Sequence, residues 1–156
     1  MILSEHITPN MISCRESASS KKKALEKLSH FLALAQPELN ETLVFDKLLE
    51  RERLGSTGLG EGVAIPHCRM AEAKRAMVAL ITLDQGVDFD SRDGKPVDIL
   101  FALVVPEDCN ETHLKILAAA AEMFSDPDFC ARMRACDNAE SLYEMLANWQ
   151  PKSLSA

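Results

Sequence analysis

The sequence predicts a single α/β domain in which a buried β-sheet is flanked by helices. Residues 77–83 (MVALITL) and 97–105 (VDILFALVV) are apolar and rich in β-branched side chains, which is typical of strands covered on both faces. Segments before and after these strands repeat apolar residues at helical spacing. The 156 residues are enough for one core, and we find no repeat or linker. We therefore expect one domain over residues 1–156, with a frayed tail at 151–156.

Five helices are predicted from capping residues that precede apolar stripes. Ser19 or Ser20 starts the first helix, which ends before Pro37 because the residue preceding a proline disfavours the α conformation. Asn40 starts the second helix. The other three start at Asn110, at Asp126-Pro127, and at Asp137 or Asn138. The predicted inward face of the third helix comprises Leu114, Leu117, Ala118, Ala121 and Phe124.

Turn residues separate the two strong strands. Residues 84–86 (DQG) and 93–96 (DGKP) have the composition of turns, and residues 87–89 between them are a possible short strand. Another possible strand lies at 11–14.

Composition excludes several classes of protein. A net charge of −7 and a pI near 5.1 disfavour nucleic acid or an anionic membrane as the main partner. We interpret the single basic run, residues 21–23 (KKK), as a solvated first helical turn. No apolar run is long enough to cross a bilayer, and the N-terminus has no signal pattern. Five cysteines without a CxxC pair suit a reducing cytosol, so we expect a cytoplasmic protein.

The chain is organised around residues 54–69, LGSTGLGEGVAIPHCR. Glycines let successive backbone N–H groups turn toward an anion and form a nest, so a phosphate could bind there. The spacing matches neither the Walker loop nor the GxGxxG fingerprint. The predicted phosphate loop is Gly55, Ser56, Thr57 and Gly58, and the stretch ends by delivering one imidazole, His67.

Three side chains could carry chemistry on phosphate. A neutral His67 imidazole is a competent nucleophile, although it could equally be a satisfied histidine at a strand end. His113 lies in the first turn of the third helix, where the helix dipole favours a neutral ring, but it could be an ordinary surface histidine. Arg51 offers a planar fork of donors that matches phosphate, or it could be a charge partner within its helix beside Lys47.

A metal site built from His67, Cys68, Cys109 and His113 is the competing interpretation. These residues lack the close spacing of a structural zinc site, so we predict no metal and no other cofactor. Cys68 is a poor candidate nucleophile beside His67, because adjacent residues of a strand point to opposite faces.

These motifs resemble a known family. Residues 54–67 (LGSTGLGEGVAIPH), preceded by LLERERLGS and followed by PVDILFALVVPED and THLKILAAAAEMF, are similar to the IIA domain of the phosphoenolpyruvate-dependent sugar phosphotransferase system, of the fructose–mannitol–nitrogen class. The resemblance covers a core of about residues 3–148, and it is strongest to the stand-alone nitrogen-regulatory IIA proteins.

The resemblance implies a mixed β-sheet flanked by helices and a histidine phosphocarrier function. His67 would accept the phosphoryl group as a tele-phosphohistidine from an HPr-like phosphocarrier (NPr), Arg51 would help to hold that group, and His113 would be its companion. It also implies regulatory protein targets, such as potassium-transport regulators or a sensor kinase. One departure is visible, because the family usually has glycine where this chain has Cys68.

Three functions stay open at this point. The first is a cytoplasmic regulatory phosphocarrier, with no nucleic-acid partner and no membrane insertion. The second is a IIA subunit that passes phosphate to the IIB domain of a fructose or mannitol permease. The third is a metal-binding or protein-interaction module without phosphotransfer.

Overall fold

The computed structural model describes residues 3–108 and 110–150, and within them the chain forms one six-stranded sheet and five α-helices. The strands are β1 (Ile12–Glu16), β2 (Gly58–Gly60), β3 (Val63–Ala64), β4 (His67–Met70), β5 (Met77–Val87) and β6 (Val97–Pro106). The helices are α1 (Lys21–Ala35), α2 (Glu41–Leu54), α3 (Asn110–Phe124), α4 (Pro127–Ala135) and α5 (Ala139–Asn148). Two short 3-10 helices, Leu3–His6 and Pro9–Met11, precede β1.

The sheet is mixed, as expected. Its strand order is β1-β5-β6-β3-β2, and β4 pairs with β6 as well. β5 and β6 are antiparallel at the centre, where Leu80 lies opposite Phe101. β1 runs parallel to β5, and β3 and β4 run parallel to β6, while β2 is antiparallel to β3.

A separate layer of helices covers each face of the sheet. α1 and α2 pack on one face, where Leu25 and Leu48 are fully buried. α3, α4 and α5 pack on the other face, where Met123 and Leu146 are fully buried. Because both faces are covered, the central strands are apolar almost throughout. The predicted fold class, a mixed sheet flanked by helices on both faces, is confirmed.

Side-chain caps start four of the five described helices, at residues that the sequence singled out. The Ser20 side chain accepts a hydrogen bond from the Lys23 N–H at the start of α1. Likewise, a backbone N–H in the first turn of α2, α4 and α5 donates to the capping side chain, which is Asn40, Asp126 or Asn138 respectively. α3 begins at Asn110, but that side chain lies outside the described part of the chain, as do residues 151–156. The Asn110 cap and the frayed tail therefore stay predictions.

The predicted inward face of α3 is only partly right: Phe124 is buried and Leu117 packs against the core as expected, but other positions differ. Leu114 is 64% exposed and Ala118 is exposed, whereas His113, Ile116, Ala120 and Met123 are buried. The helix carries apolar side chains around most of its circumference, so its pattern alone does not determine which side packs inward. Packing on the sheet selects the side that also buries His113.

The predicted turn at residues 84–86 is also wrong. These residues continue β5, although their side chains are exposed and the pairing with β6 shifts register between Thr82 and Val87. Val87 is buried and pairs with Val97, so it belongs to β5 and not to a separate strand at 87–89. The burial of Val87 overrides the local turn preference of the exposed residues before it.

Strand pairing brings the candidate functional residues together. His67 is the first residue of β4 and is aligned with Leu103 of β6. α2 packs against β4, and α3 starts shortly after the end of β6. The C-terminal part of α2 and the first turn of α3 therefore flank the start of β4. Among the described residues, we find no helix with the length and apolar character needed to cross a membrane.

Replacing Gly58 tests the packing of the glycine-rich loop. A Cβ added to Gly58 would overlap the Ser91 hydroxyl and lie 3.0 Å from the Ser91 Cβ. We expect Gly58→Ala to lower the free energy of unfolding by about 1–3 kcal/mol, because Ser91 is buried and cannot move freely. Urea unfolding measures this loss. Ser91→Gly in the same chain should restore part of it, and strictly additive effects of the two changes would contradict the proposed overlap.

Candidate functional site

The three predicted functional side chains line one cavity. It has a volume of about 400 Å³ and lies between the end of α2, the start of β4 and the first turn of α3. Its lining residues are Lys47, Glu50, Arg51, Leu54, His67, Cys68, Arg69 and His113. The structure thus places His67, Arg51 and His113 around a common space.

The ring of His67 is held in one tautomer. Its Nδ1 lies 2.8 Å from the Ile65 carbonyl oxygen, which can only accept a hydrogen bond. Nδ1 therefore carries the proton, and the neutral ring keeps its lone pair on Nε2. Burial lowers the pKa of His67; the hydrogen bond to Ile65 opposes this effect, and the positive charge of Arg51 adds to it. At neutral pH, His67 Nε2 is therefore unprotonated and keeps an available lone pair.

His113 is the second imidazole of the site. Its ring centroid lies 5.2 Å from that of His67, with an angle of 72° between the ring planes. The residue is only 6% exposed, and its Nδ1 has no hydrogen-bond partner among the described residues. Burial lowers the pKa of His113 to about 4, with smaller contributions from His67, Arg69 and Arg51. The ring is therefore uncharged at neutral pH, as the sequence predicted.

Arg51 lies one turn before the end of α2. Its Nη1 donates a hydrogen bond of 2.9 Å to the Gly55 carbonyl oxygen. This bond fixes the guanidinium at the cavity and satisfies an unpaired carbonyl just beyond the helix. The partner of Arg51 is therefore a backbone carbonyl. The sequence had left open a charged partner within the same helix.

The Gly55–Ser56–Thr57–Gly58 loop does not line this cavity. The Thr57 N–H donates to both carboxylate oxygens of Glu52, at 3.1 and 3.2 Å, and the Gly58 N–H donates to the Ser56 hydroxyl at 3.0 Å. These two N–H groups, which the sequence suggested for phosphate, have partners inside the protein. The loop thus adjoins the site without facing its cavity.

The sequence did not single out Glu52 and Lys21, whose side chains meet behind the glycine-rich loop. The Glu52 side chain is 1% exposed, and its carboxylate lies 3.2 Å from Lys21 Nζ. The Lys21 side chain is itself only 17% exposed, so the interpretation of residues 21–23 as a solvated turn is wrong for Lys21. Nothing in the local pattern of either helix signals this pairing, because the two residues meet only after α1 and α2 have packed together.

Cys68 differs from His67 in its surroundings. It is 7% exposed and packs in the core with α1 and α2, although it also forms part of the cavity wall. Burial raises the pKa of the Cys68 thiol to about 12. The thiol stays protonated at neutral pH, so Cys68 is a poor nucleophile.

A metal centre was the competing interpretation of this site. Within residues 3–108 and 110–150, no group of three or more His, Cys, Asp or Glu side chains could hold a metal ion. Cys109, one of the four residues considered for a metal site, lies outside these ranges.

The lowered histidine pKa values predict how stability depends on pH. Between about pH 6.5 and about pH 4 the unfolded chain binds a proton at His113 that the folded chain does not bind. We therefore expect the free energy of unfolding to decrease as the pH falls through this window, with His67 contributing in the same direction. Chemical denaturation at several pH values measures this trend, and His113→Gln should make it less steep. An NMR titration giving His113 an ordinary pKa would contradict the expected burial effect.

Comparison with known proteins shows what the whole chain is similar to. Residues 5–149 match the family model for the phosphoenolpyruvate-dependent sugar phosphotransferase system, EIIA 2. The chain is 40% identical to the nitrogen regulatory protein of Pseudomonas aeruginosa, over 95% of this chain and 96% of that protein. It is 32% identical to the fructose-specific EIIA component of Haloferax volcanii, over 90% of this chain and 92% of that one.

A solved structure shows the same fold. Nitrogen regulatory protein IIA-Ntr from Neisseria meningitidis superposes with a TM-score of 0.87 at 38% identity, covering 92% of this chain and 98% of that protein. The fold, the family model and the sequence identity thus indicate the same family. The chain belongs to the EIIA type-2 family of the phosphoenolpyruvate-dependent sugar phosphotransferase system.

Proposed function

We propose that this chain is a histidine phosphocarrier of the nitrogen-related phosphotransferase system, in which His67 Nε2 accepts a phosphoryl group from the phosphohistidine of an HPr-like carrier. The observation that supports this most directly is the hydrogen bond from His67 Nδ1 to the Ile65 carbonyl, which leaves Nε2 unprotonated. Family membership supports phosphotransfer in general.

The proposed step exchanges one nitrogen–phosphorus bond for another. The Nε2 lone pair of His67 attacks phosphorus, while the bond between phosphorus and the donor ring nitrogen breaks and leaves its electron pair on the donor. Positive charge that develops on the His67 ring is stabilised at Nδ1–H by the Ile65 carbonyl dipole. The product is a phosphohistidine linked through Nε2, and no water molecule or cofactor enters the reaction.

Arg51 and His113 would stabilise the group that is transferred. Phosphoryl transfer depends mostly on positioning and charge neutralisation. The Arg51 guanidinium provides a permanent positive charge at the cavity, whereas the His113 ring is neutral before transfer. A phosphoryl group on His67 would bring negative charge near His113 and so favour a proton on that ring.

A regulatory output is the favoured role. The chain is more similar to a protein named nitrogen regulatory protein, at 40% identity, than to a fructose-specific EIIA component, at 32%. Phosphorylation would add about two negative charges at a cavity bordered by the exposed Leu54, which can change the affinity of a partner protein. Potassium-transport regulators and a sensor kinase are the proposed kinds of target. The free thiols of Cys14, Cys68, Cys130 and Cys136 suit the cytoplasm as its compartment.

The alternative is a IIA subunit that passes its phosphoryl group to the IIB domain of a fructose or mannitol permease. Similarity to the Haloferax volcanii component favours this alternative. Labelled phosphoprotein incubated with a purified IIB domain distinguishes the two roles, because only a permease subunit should pass its label on rapidly.

Phosphorylation of His67 is the first test. The purified protein should gain the mass of one phosphoryl group after incubation with phosphoenolpyruvate, enzyme I and an HPr-like carrier. The linkage should be lost in acid, and His67→Ala should gain nothing. His30→Ala is the matched control, because His30 is an exposed histidine that pairs with Glu41 on the surface. Equal labelling of wild type and His67→Ala would exclude His67 as the acceptor.

A second test concerns Arg51. We expect Arg51→Ala to slow transfer to His67 on the order of 100-fold, since removing a group that stabilises transition-state charge has effects of this size. Arg51→Lys should recover part of the rate, because it keeps the charge but loses the planar fork. Single-turnover transfer from the phosphorylated carrier measures both rates. If Arg51→Ala transfers at the wild-type rate, Arg51 has no part in the reaction.

A further inference from the structure

A buried ion pair lies behind the glycine-rich loop. Lys21 Nζ and Glu52 Oε1 are 3.2 Å apart, and their side chains are 17% and 1% exposed. Buried charges are costly unless they are paired and their remaining hydrogen bonds are satisfied. Neither residue lines the cavity of His67, so this pair has no direct contact role in the function proposed above.

The Glu52 carboxylate is bound by the backbone of the loop. Both of its oxygens accept from the Thr57 N–H, at 3.2 and 3.1 Å. The Glu52 backbone carbonyl also accepts from the Gly55 N–H at 3.1 Å. One residue of α2 therefore holds the loop at two points, through its backbone and through its side chain.

Lys21 connects the same loop to the segment after β5. Its Nζ donates to the Phe89 carbonyl at 3.3 Å and lies 4.5 Å from the centre of the Phe89 ring. The Ser56 hydroxyl donates to this same carbonyl at 2.9 Å. Lys21, Glu52 and Phe89 thus form a connected set of contacts beneath residues 55–58.

The loop in turn holds Arg51. The Gly55 carbonyl accepts from Arg51 Nη1 at 2.9 Å, and Gly55 is the loop residue that the Glu52 backbone fixes. We propose that Lys21 and Glu52 are positioning residues for phosphoryl transfer: their ion pair holds the 55–58 loop, and the loop holds the Arg51 guanidinium against the cavity of His67. This inference rests on the proposed phosphocarrier function.

The size of the effect follows from the sensitivity of transfer to geometry. A displacement of about 1 Å in a group that orients the reacting atoms can slow a reaction by up to about 100-fold. We expect Lys21→Met and Glu52→Gln each to slow transfer to His67 on the order of tenfold, because each leaves Arg51 in place but less well held. Lys21→Arg, which keeps the positive charge, should retain most of the rate.

The experiment measures single-turnover transfer from the phosphorylated HPr-like carrier, with thermal unfolding of each variant. Lys23→Met and Glu26→Gln are the matched controls. These two residues form an exposed ion pair in α1, the helix of Lys21, with side chains 60% and 43% exposed. Both controls should transfer at the wild-type rate. If Glu52→Gln proves unfolded at the assay temperature, the two Lys21 variants provide the test. A slow Lys21→Met beside a nearly normal Lys21→Arg supports the inference, and equal rates in the two variants contradict it.

A double-mutant cycle separates positioning from a general loss of structure. If Glu52 acts through Arg51, then Glu52→Gln should slow an Arg51→Ala protein by less than about twofold, because the group that it positions is gone. An undiminished tenfold effect in that background would overturn the inference. So would wild-type rates in both Lys21→Met and Glu52→Gln. A wild-type protein that takes up no phosphoryl group would instead overturn the proposed function and this inference with it.

Discussion

The hydrogen bond between His67 Nδ1 and the Ile65 carbonyl is the constraint on which the rest of the site depends. It joins residues on either side of Pro66, whose carbonyl accepts from the Leu103 N–H of the central strand β6. The Ile65 N–H donates to the Thr57 carbonyl, so the same short segment is tied to the glycine-rich loop. The protonation state of one imidazole is therefore set by backbone groups that the sheet holds in place, and no acidic side chain is needed to orient the ring.

Two successive residues of helix α2 point into different environments. Neighbouring positions on a helix lie about 100° apart, since 3.6 residues make a turn. Arg51 reaches the open cavity, and Glu52 is buried beneath the loop. The helix end consequently supplies a positive charge to the cavity and a negative charge to the Thr57 N–H of the loop. Lys21 from α1 compensates the buried carboxylate, so this ion pair forms only when the two helices are packed together.

Local signals explain which parts could be predicted. The capping side chains of Ser20, Asn40 and Asn138 act within their own helices, so the sequence pattern identified them. The buried side of α3 could not be predicted fully from the sequence, because that helix carries apolar residues on most of its sides. The Lys21–Glu52 pair was invisible for a similar reason, since its partners come from different helices. The grouping of His67, Arg51 and His113 was expected from chemistry and from the family resemblance, and the structure places all three at one cavity.

Two consecutive residues near the start of α3 lie in opposite environments. His113 is buried beside the ring of His67, whereas Leu114 is 64% exposed and makes no part of the cavity wall. A substitution at Leu114 alters the outer surface of the helix, whereas it leaves the packing of His113 against His67 as it is. Under the proposed function, duplicated copies of such a chain can diverge in the proteins that they bind while they keep the same pair of imidazoles.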